Sequence, residues 1–413
     1  MRQLALSQLI ALVAFGGTYL GLALGRLPLF RVDRTGVAII GAVAMIAGGV
    51  IPWDDAVRSV DVHTLALLFG MMIVAAYLRL SGFFALVTIW TVRRARTPDA
   101  LLACVIVVAG VLSALFVNDI VCLVLAPLVV DLIRRLHLPP VPYLIALATA
   151  SNVGSVATLT GNPQNMLVGS FSGLPYRTFV LHQAPVALLG LAAVFVVVRI
   201  VYRRDLPRTL DTVDPDDRSR VHYPLMVKTS LVVLAMLVAF LAGVPIALVA
   251  LAGAAWTLLT RRVKPDKVYR EINWQLLVLF TGLFVVMRGI EATGFTQTLT
   301  VAARTVGLER PFVLTAVTAA VSNVVSNVPA VLLLRPFIAD FAEPARGWLL
   351  VAMASTFAGN LTLVGSVANL IVVEVARGAR IRIGFLEYCR VGVPLTVATL
   401  LAGWLLLTLL PSP

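Results

Sequence analysis

Residues 158–165, Thr-Leu-Thr-Gly-Asn-Pro-Gln-Asn, place polar side chains, a glycine and a proline inside an apolar stretch long enough to cross a bilayer. Lipid offers no hydrogen-bond partner to backbone groups that a broken helix frees, so such a break must be buried in protein or line a cavity. An interrupted helix near the middle of the membrane is typical of a transport site. We therefore predict a broken helix over residues 142–170 whose polar centre contributes to a solute site.

The residue types at this break can bind ions of either charge. The N-terminus of a half-helix directs backbone N–H groups at an anion, while unwound carbonyls and asparagine side-chain oxygens can hold a bare cation. The polar segments contain no Lys or Arg. We therefore expect an anion to be held by helix dipoles and by its co-ion.

Asn118-Asp119 forms a second polar segment, in the middle of the apolar residues 99–133. A carboxylate at membrane depth is costly, so it is protonated, paired with a cation or facing water. In one interpretation Asp119 is the coupling residue, which binds and releases a proton or helps to hold sodium. In the other it caps the helix that follows by accepting hydrogen bonds from free backbone N–H groups.

The remaining polar candidates also have structural alternatives. Asparagines in a membrane can simply hydrogen-bond the backbone of a neighbouring helix, and Ser and Thr often bond the backbone of their own helix. Cys122 could bind a thiophilic metalloid, but a small buried thiol in apolar surroundings is more typical of a core residue.

The composition indicates a membrane protein with several spans. Of the 413 residues, 60% are hydrophobic and only 13% are charged, which no soluble domain of this size needs. The net charge of +13 could suggest a nucleic-acid partner, but the basic residues lie in short loops between apolar segments, as the positive-inside rule predicts. The first apolar run, residues 4–25, is long for a signal peptide, and we expect a retained helix.

Motifs for other kinds of chemistry are missing from the sequence. The three cysteines lack CxxC spacing and the four histidines are scattered, so neither set indicates a metal site or a disulfide. There is no HExxH, GxSxG or P-loop pattern. We expect no enzymatic activity and no cofactor other than a coupling ion, H+ or Na+, while a passive channel stays open as a less favoured alternative.

The second half of the chain repeats the first. Ser113, Asn118 and Pro127 recur at one constant separation as Ser322, Asn327 and Pro336, and the broken helix recurs at another, with Ser151, Thr158, Gly161 and Asn165 matched by Ser355, Thr362, Gly365 and Asn369. This predicts repeat 1 over residues 35–205 (hairpin 99–133, broken helix 142–170) and repeat 2 over residues 226–413 (hairpin 311–338, broken helix 347–376). Residues 1–34 form an extra N-terminal helix and basic loop, and 206–225 a linker.

The distribution of charge predicts the orientation of these repeats. Most of the 33 Lys and Arg residues lie in loops that can be assigned to one side, which places the linker in the cytoplasm and both termini outside. The first hairpin then opens to the cytoplasm and the second to the outside. We predict an all-α polytopic protein of the bacterial plasma membrane, with two inverted-topology repeats that each contain a re-entrant helical hairpin and a broken helix. A pair of spanning helices joined by a tight polar turn is the alternative to the first hairpin.

With these motifs in view, the chain resembles the ion transporter superfamily, which includes arsenite permeases, sodium/proton antiporters and dicarboxylate or citrate carriers. The resemblance extends from about Thr35 to the C-terminus. It rests on the segments 116–119, 158–165, 322–329 and 362–369. The tip Asn118-Asp119 is most similar to the arsenite-permease branch and its anion-permease relatives, and the second break lacks the proline of the first.

In that family the hairpin tips and the mid-helix loops meet around the substrate and the coupling ion. By position, the resemblance implies a site formed by Ser113, Asn118, Asp119, Thr158, Gly161, Asn162, Asn165, Ser326, Asn327, Thr362, Gly365, Ser366 and Asn369. It also implies a Na+ site near Asn118, Asp119, Gly161 and Asn162.

The function implied by this arrangement is secondary active transport of a small anion, coupled to H+ or Na+, by alternating access. Arsenite or antimonite efflux and Na+/H+ antiport are the alternatives within the class. The expected partners are a small anion or metalloid and the lipid bilayer, with no nucleic acid, and the resemblance suggests a homodimer.

Overall fold

The computed structural model describes residues 2–25, 32–207, 209, 221–260, 262–295, 303 and 305–412, and their regular elements are all helical. The first half of the chain contains Arg2–Leu24 (α1), Arg34–Ala47 (α2), Trp53–Ser59 (α3), Val62–Ser81 (α4), Phe83–Arg94 (α5), Pro98–Leu115 (α6), Asn118–Arg135 (α7), Pro140–Ser155 (α8), Pro163–Ser172 (α9) and Tyr176–Val201 (α10). The second half contains Tyr223–Leu241 (α11), Ile246–Leu258 (α12), Pro265–Tyr269 (α13), Trp274–Ala292 (α14), Pro311–Val325 (α15), Asn327–Ile338 (α16), Pro344–Ala358 (α17), Val367–Gly378 (α18) and Phe385–Leu409 (α19).

Seven helices in the described part of the chain are long and apolar enough to cross a bilayer. The longest, α10, has 26 residues, which at 1.5 Å per residue exceeds the thickness of the hydrocarbon layer. These helices expose large apolar side chains such as Leu188, Leu234 and Leu405, as expected of a surface that faces lipid. The chain is therefore an integral membrane protein.

The two halves exchange helices in a reciprocal way. Helix α2 of the first half packs against α14 of the second half, and α12 of the second half packs against α4 of the first. In the same manner α1 lies on α2 and α14, while α11 lies on α12 and α4. A pseudo-twofold axis therefore relates two repeats of inverted topology. The first helix has the position in repeat 1 that α11 has in repeat 2, so the prediction of an extra N-terminal helix outside the repeat is corrected.

Two pairs of small residues allow this exchange. A Cβ atom added to Gly70 on α4 would lie 2.6 Å from the carbonyl oxygen of Ala250 on α12. A Cβ atom added to Gly282 on α14 would lie 2.8 Å from the carbonyl oxygen of Ala38 on α2. Small residues let helix backbones approach closely in a membrane. The two pairs occupy equivalent positions in the two repeats, so both repeats use the same close contact.

Each repeat contains a helical hairpin followed by a broken helix. The first hairpin consists of α6 and α7, joined through Phe116 and Val117, and the second consists of α15 and α16, joined at Ser326. The first broken helix consists of α8 and α9, and the second of α17 and α18. Residues 156–162 and 359–366 connect the half-helices. The hairpin tips do not reach separate faces of the protein but meet at one cavity, as expected for re-entrant hairpins.

The sequence encodes where each broken helix resumes. Asn162 caps α9, because its side-chain oxygen accepts a hydrogen bond from the N–H of Asn165 at 2.8 Å. Pro163 occupies the first helical position, where a missing N–H costs nothing. Ser366 caps α18 by accepting from the N–H of Ala368 at 3.3 Å. Each break therefore resumes its helix from a side-chain cap, Asn162 in the first and Ser366 in the second, and only the first adds a proline at the next position.

The hairpins and broken helices of the two repeats are interlocked. The second arm of the first hairpin, α7, packs against α18, and the second arm of the second hairpin, α16, packs against α9. The first half-helix of each broken helix also contacts the second half-helix of the other. As a consequence, α7, α9, α16 and α18 all begin near the same point.

Parts of the predicted organisation lie outside the described residues. They include residues 26–31 of the basic loop and most of the predicted linker 206–225. Helix α11 begins at Tyr223, before the predicted end of that linker. The region that would correspond to α5 in repeat 2 also falls largely on residues that the structure does not describe.

Candidate functional site

A cavity of about 110 Å³ lies where the four helix starts converge. One water molecule needs roughly 10–15 Å³ of such space, so the cavity can hold several waters or one small solute. Its apolar wall includes Leu22 of α1 and Leu276 and Leu279 of α14. Its polar wall comes from both hairpin tips and both breaks, with Asn118, Asp119, Gln164, Ser326, Asn327 and Ser366.

The polar wall of the cavity is made from helix N-termini. Asn118 and Asp119 begin α7, and Asn327 begins α16. Pro163 and Gln164 begin α9, and Ser366 caps α18. Unpaired N–H groups and the positive end of the helix dipole favour negative charge at such positions. Four of them around one small cavity favour an anion.

Arg34 also lines this cavity, from the first residue of α2. Neither hairpin tip carries a Lys or Arg, so this basic side chain comes from outside the segments that predict the site. Arg34 is the last residue of the predicted basic loop, where a positive charge is ordinarily explained by membrane orientation. Arg34 is far from both hairpin tips in the sequence, and the packing of α2 brings it to the cavity that they line.

Asp119 is half-buried and lines the cavity. Among the described residues its carboxylate has no hydrogen-bond or ion-pair partner, and the N-cap of α7 is Val117, without a side-chain cap. The interpretation of Asp119 as a helix cap therefore finds no support in the geometry. The carboxylate instead faces the space that a solute or an ion would enter.

Asn152, which was not predicted from the sequence, connects the two repeats directly behind the cavity lining. Its side-chain oxygen accepts hydrogen bonds from Asn118 at 2.9 Å and from Ser366 at 3.0 Å. Its side-chain nitrogen donates to Asn360 at 2.9 Å and to Asn369 at 3.1 Å. One buried amide therefore joins the first hairpin tip to the second broken helix.

Equivalent asparagines fix the two unwound loops. The Asn165 side chain donates to the carbonyl oxygens of Ser155, at 3.1 Å, and Thr158, at 2.9 Å. The Asn369 side chain donates to those of Gly359, at 2.8 Å, and Thr362, at 3.2 Å. Both side chains are fully buried. They satisfy the carbonyls that the breaks expose and do not line the cavity themselves.

The first hairpin tip is held onto the first break. The N–H of Asn118 donates to the carbonyl of Gly161 at 3.0 Å, and the Thr158 hydroxyl donates to the carbonyl of Ala114. Behind the tip, the hydroxyl oxygens of Ser113 and Ser151 are 2.7 Å apart. A Cβ atom at Gly161 would lie 2.2 Å from the carbonyl oxygen of Ser155, so only glycine fits there.

Polar contacts also tie the first break to the second repeat. Thr356, which holds the position in repeat 2 that Asn152 holds in repeat 1, accepts from Asn162 at 3.3 Å and from Gln164 at 3.0 Å. The second tip is fixed by Ser322, whose hydroxyl donates to Asn327 at 2.7 Å. Side-chain hydrogen bonds therefore join the first half-helix of each broken helix to the break of the other, from Asn152 to Asn360 and from Gln164 to Thr356.

The predicted site residues fall into two groups. Asn118, Asp119, Ser326, Asn327 and Ser366 line the cavity. The others hold the tips and breaks in place from behind, namely Ser113, Thr158, Gly161, Asn162, Asn165, Thr362, Gly365 and Asn369. Five residues at or next to the site were not predicted from the sequence, namely Arg34, Asn152, Gln164, Thr356 and Asn360. Of these, Asn152 and Thr356 directly follow the matched pair Ser151 and Ser355, a signal that could have identified them.

The oxygen atoms around the first tip could also hold a cation. The side-chain oxygen of Asn118 is buried and has no hydrogen-bond partner in the described part of the chain. The carbonyl oxygen of Gly161 accepts the backbone N–H of Asn118. Asp119 directly follows Asn118 in the sequence and lines the same cavity. In contrast, the side-chain oxygen of Asn162 already accepts the capping hydrogen bond from Asn165.

The family described as "Citrate transporter" matches residues 19–358 of the chain. An uncharacterized transporter of Mycobacterium tuberculosis strain H37Rv is 30% identical over 394 residues, covering 90% of this chain and 92% of the relative. The silicon efflux transporter LSI3 of Oryza sativa subsp. japonica is 30% identical over 436 residues, covering 89% and 90%. The putative transporter arsB of Dictyostelium discoideum is 23% identical over 488 residues, covering 90% and 86%.

A solved structure shares the fold. The YdaH transporter of Alcanivorax borkumensis, described as having an unusual topology, superimposes with a TM-score of 0.62 at 16% sequence identity. The similarity covers 98% of this chain and 98% of that one. At this level of identity the likeness concerns the architecture alone.

Proposed function

Because the chain belongs to the citrate transporter family of the ion transporter superfamily, and is a membrane transporter and not an enzyme, we propose that it moves a small anion by alternating access, coupled to H+ or Na+. The observation that carries this proposal is the convergence of four helix N-termini on one cavity. The small volume of the cavity supports a small solute. Its place between the interlocked tips and breaks on one side and α1, α2 and α14 on the other supports a site that opens when these parts move.

Asp119 is the candidate for proton coupling. Its carboxylate lines the cavity without a partner among the described residues, and a charge at this depth is stabilised by taking up a proton or by a cation. In the Na+ alternative, Asp119, the Asn118 side-chain oxygen and the Gly161 carbonyl would provide hard oxygen ligands, the type that such cations prefer.

Efflux of an uncharged oxyacid is the second candidate function. It is favoured by two relatives, which are named as a silicon efflux transporter and a putative transporter arsB. Arsenite or antimonite would then be the cargo. The convergent helix N-termini and Arg34 support the anion more strongly, because an uncharged solute gains little from them.

The cellular setting completes the proposal. The transporter would lie in a bacterial plasma membrane with both termini outside and residues 206–225 in the cytoplasm, because most basic loops then lie inside. A homodimer is part of the same proposal and rests on the family resemblance alone.

Counterflow in proteoliposomes tests the function. The purified chain is reconstituted, and accumulation of radiolabelled acetate, phosphate, citrate and arsenite is measured with a proton gradient alone, a sodium gradient alone or neither. Saturable accumulation of an anion that one gradient drives is expected. Accumulation of arsenite alone would favour the second candidate, and gradient-independent equilibration that does not saturate would indicate a channel.

The variant Asp119→Asn separates the two coupling ions. If Asp119 carries the proton, accumulation driven by the proton gradient disappears in this variant while exchange of labelled for unlabelled substrate persists. Unchanged gradient dependence would remove Asp119 from the coupling mechanism.

A further inference from the structure

Arg34 brings a positive charge to the lining of the cavity. It is the first residue of α2, whose N-cap Asp33 accepts a hydrogen bond from the N–H of Gly36 at 2.9 Å. A cation in the first turn of a helix opposes the helix dipole. The arginine therefore does not stabilise its own helix, and its position calls for another role.

The guanidinium of Arg34 has no partner among the described residues. It makes no ion pair or hydrogen bond there, and Asp33 already serves as the cap of α2. The side chain is half-buried and lines the cavity. A guanidinium offers five N–H donors in a planar fork that matches the two oxygens of a carboxylate or similar oxyanion.

The pseudo-twofold axis offers an internal comparison. Gly70 and Ala38 correspond to Gly282 and Ala250, and by the same offset Arg34 corresponds to Ile246. The basic side chain is therefore present in one repeat only. Because the repeats are inverted, the positive-inside rule alone favours an arginine at only one of the two positions. The observation that points to a bound solute is the place of Arg34 in the lining of the cavity.

The opposite wall of the cavity has matching chemistry. Asn118 and Asn327 at the two tips and Ser366 at the second break place helix N-termini there. Arg34 belongs to α2, which packs mainly on α1 and α14. A bound oxyanion would therefore bridge the part of the protein that holds α2 and the part that holds the tips.

We infer that Arg34 is a substrate-binding residue that selects a small oxyanion, held between its guanidinium and the helix N-termini of the two hairpin tips. This inference rests on the proposed function and names the substrate class of the same site. It separates a charged oxyanion from a neutral oxyacid, because only the charged form gains from a guanidinium in a site of low dielectric constant. The small volume of the cavity limits the anion to a few heavy atoms around one oxyanion group.

The test is ligand-induced thermal stabilisation of the full-length protein in detergent. The probes are sodium acetate, phosphate, sulfate and citrate, with arsenous acid at neutral pH as the uncharged probe and sodium chloride as the ionic-strength control. We expect at least one oxyanion to raise the Tm of the wild-type protein. In Arg34→Gln the apparent Kd for that oxyanion rises at least tenfold.

Two further variants make the result specific. Arg34→Lys keeps the charge but loses the fork, so its Kd falls between those of the wild type and Arg34→Gln. Arg177→Gln removes an exposed arginine outside the cavity and leaves the Kd unchanged. Equal affinity in Arg34→Gln, stabilisation by arsenous acid alone, or no oxyanion-induced shift in the wild type would each overturn the inference.

Transport assays distinguish failure of the inference about Arg34 from failure of the proposed function. If Arg34→Gln accumulates the anion at the wild-type rate under a gradient, the role of Arg34 is overturned and the proposed function is not. Absence of gradient-driven accumulation by the wild type overturns the function itself.

Discussion

The side-chain nitrogen of Asn152 lies 2.9 Å from the side-chain oxygen of Asn360, and this hydrogen bond joins the two broken helices where they cross. Asn360 also donates to the carbonyl of Thr149, on the same half-helix as Asn152, at 3.3 Å. Both side chains are buried. The two repeats are therefore held together at the cavity by a polar contact in surroundings where unpaired polar groups are costly.

Replacement of Asn152 by alanine is expected to weaken this junction. Its buried partners on both repeats would lose a hydrogen bond, and each unsatisfied group costs about 1–3 kcal/mol. We expect a lower Tm in detergent and loss of counterflow activity. Thr408→Val is the control, because among the described residues the Thr408 hydroxyl bonds only the carbonyl of Trp404, in its own helix. A normal Tm and normal transport by Asn152→Ala would contradict the role of the residue.

Gly161→Ala is expected to displace the loop of the first break. The new Cβ would lie 2.2 Å from the Ser155 carbonyl oxygen, and the same loop accepts the N–H of Asn118. Overpacking of this kind costs about 1–3 kcal/mol, and here it also moves the hairpin tip. Gly378→Ala is the matched control, since its Cβ would meet no atom within 4 Å. Size-exclusion profiles and counterflow rates measure both effects, and equal rates in the two variants would refute the prediction.

The exchange of helices between repeats predicts paired effects at Gly70 and Gly282. An added Cβ would lie 2.6 Å from the Ala250 carbonyl oxygen in one case and 2.8 Å from that of Ala38 in the other. Gly70→Ala and Gly282→Ala should therefore lower the Tm by similar amounts, since both separate backbones that are in contact. Gly17→Ala, whose Cβ would meet nothing within 4 Å, should be neutral or slightly stabilising, because glycine weakens a helix interior by roughly 0.5–1 kcal/mol. A large loss in only one of the paired variants would argue against equivalent packing.

Ser326 carries backbone strain at the second hairpin tip. Its φ of 81° and ψ of 161° lie in a region that is favourable for glycine only, and such a residue costs about 1–3 kcal/mol. Ser326→Gly is therefore expected to be more stable than Ser326→Ala by about 1 kcal/mol, because alanine keeps the strain and glycine relieves it. Chemical or thermal unfolding of the two variants side by side measures the difference. Greater stability of the alanine variant would exclude strain at this position.

Much of the fold could be predicted from the sequence because membrane burial leaves simple patterns. The hairpins and breaks appeared as polar residues inside apolar runs, and the duplication appeared as matched pairs such as Asn118 with Asn327 and Gly161 with Gly365. The superfamily resemblance is confirmed by the family match and by the shared architecture. The position of α1 was missed because its sequence has no polar marker that matches α11, and only the packing reveals the correspondence.

The site was predicted less completely than the fold. The sequence identified residues at the tips and breaks, but it could not show which of them line the cavity and which support it from behind. Asn165 and Asn369 proved to bind exposed carbonyls, a task that depends on the path of the unwound backbone. Arg34 could not be found from the sequence because its role depends on how α2 packs on α14.

The close contact of Gly70 with Ala250 has a consequence for how the chain is made. Helix α4 leaves the ribosome long before α12 is synthesised, so the surface around Gly70 must first be covered by lipid or by the insertion machinery. The N-terminal half expressed alone would keep that surface uncovered and become a substrate for membrane proteases. Supplying the C-terminal half as a separate polypeptide in the same cell would rescue it, and biogenesis would then depend on the order in which the two pieces meet.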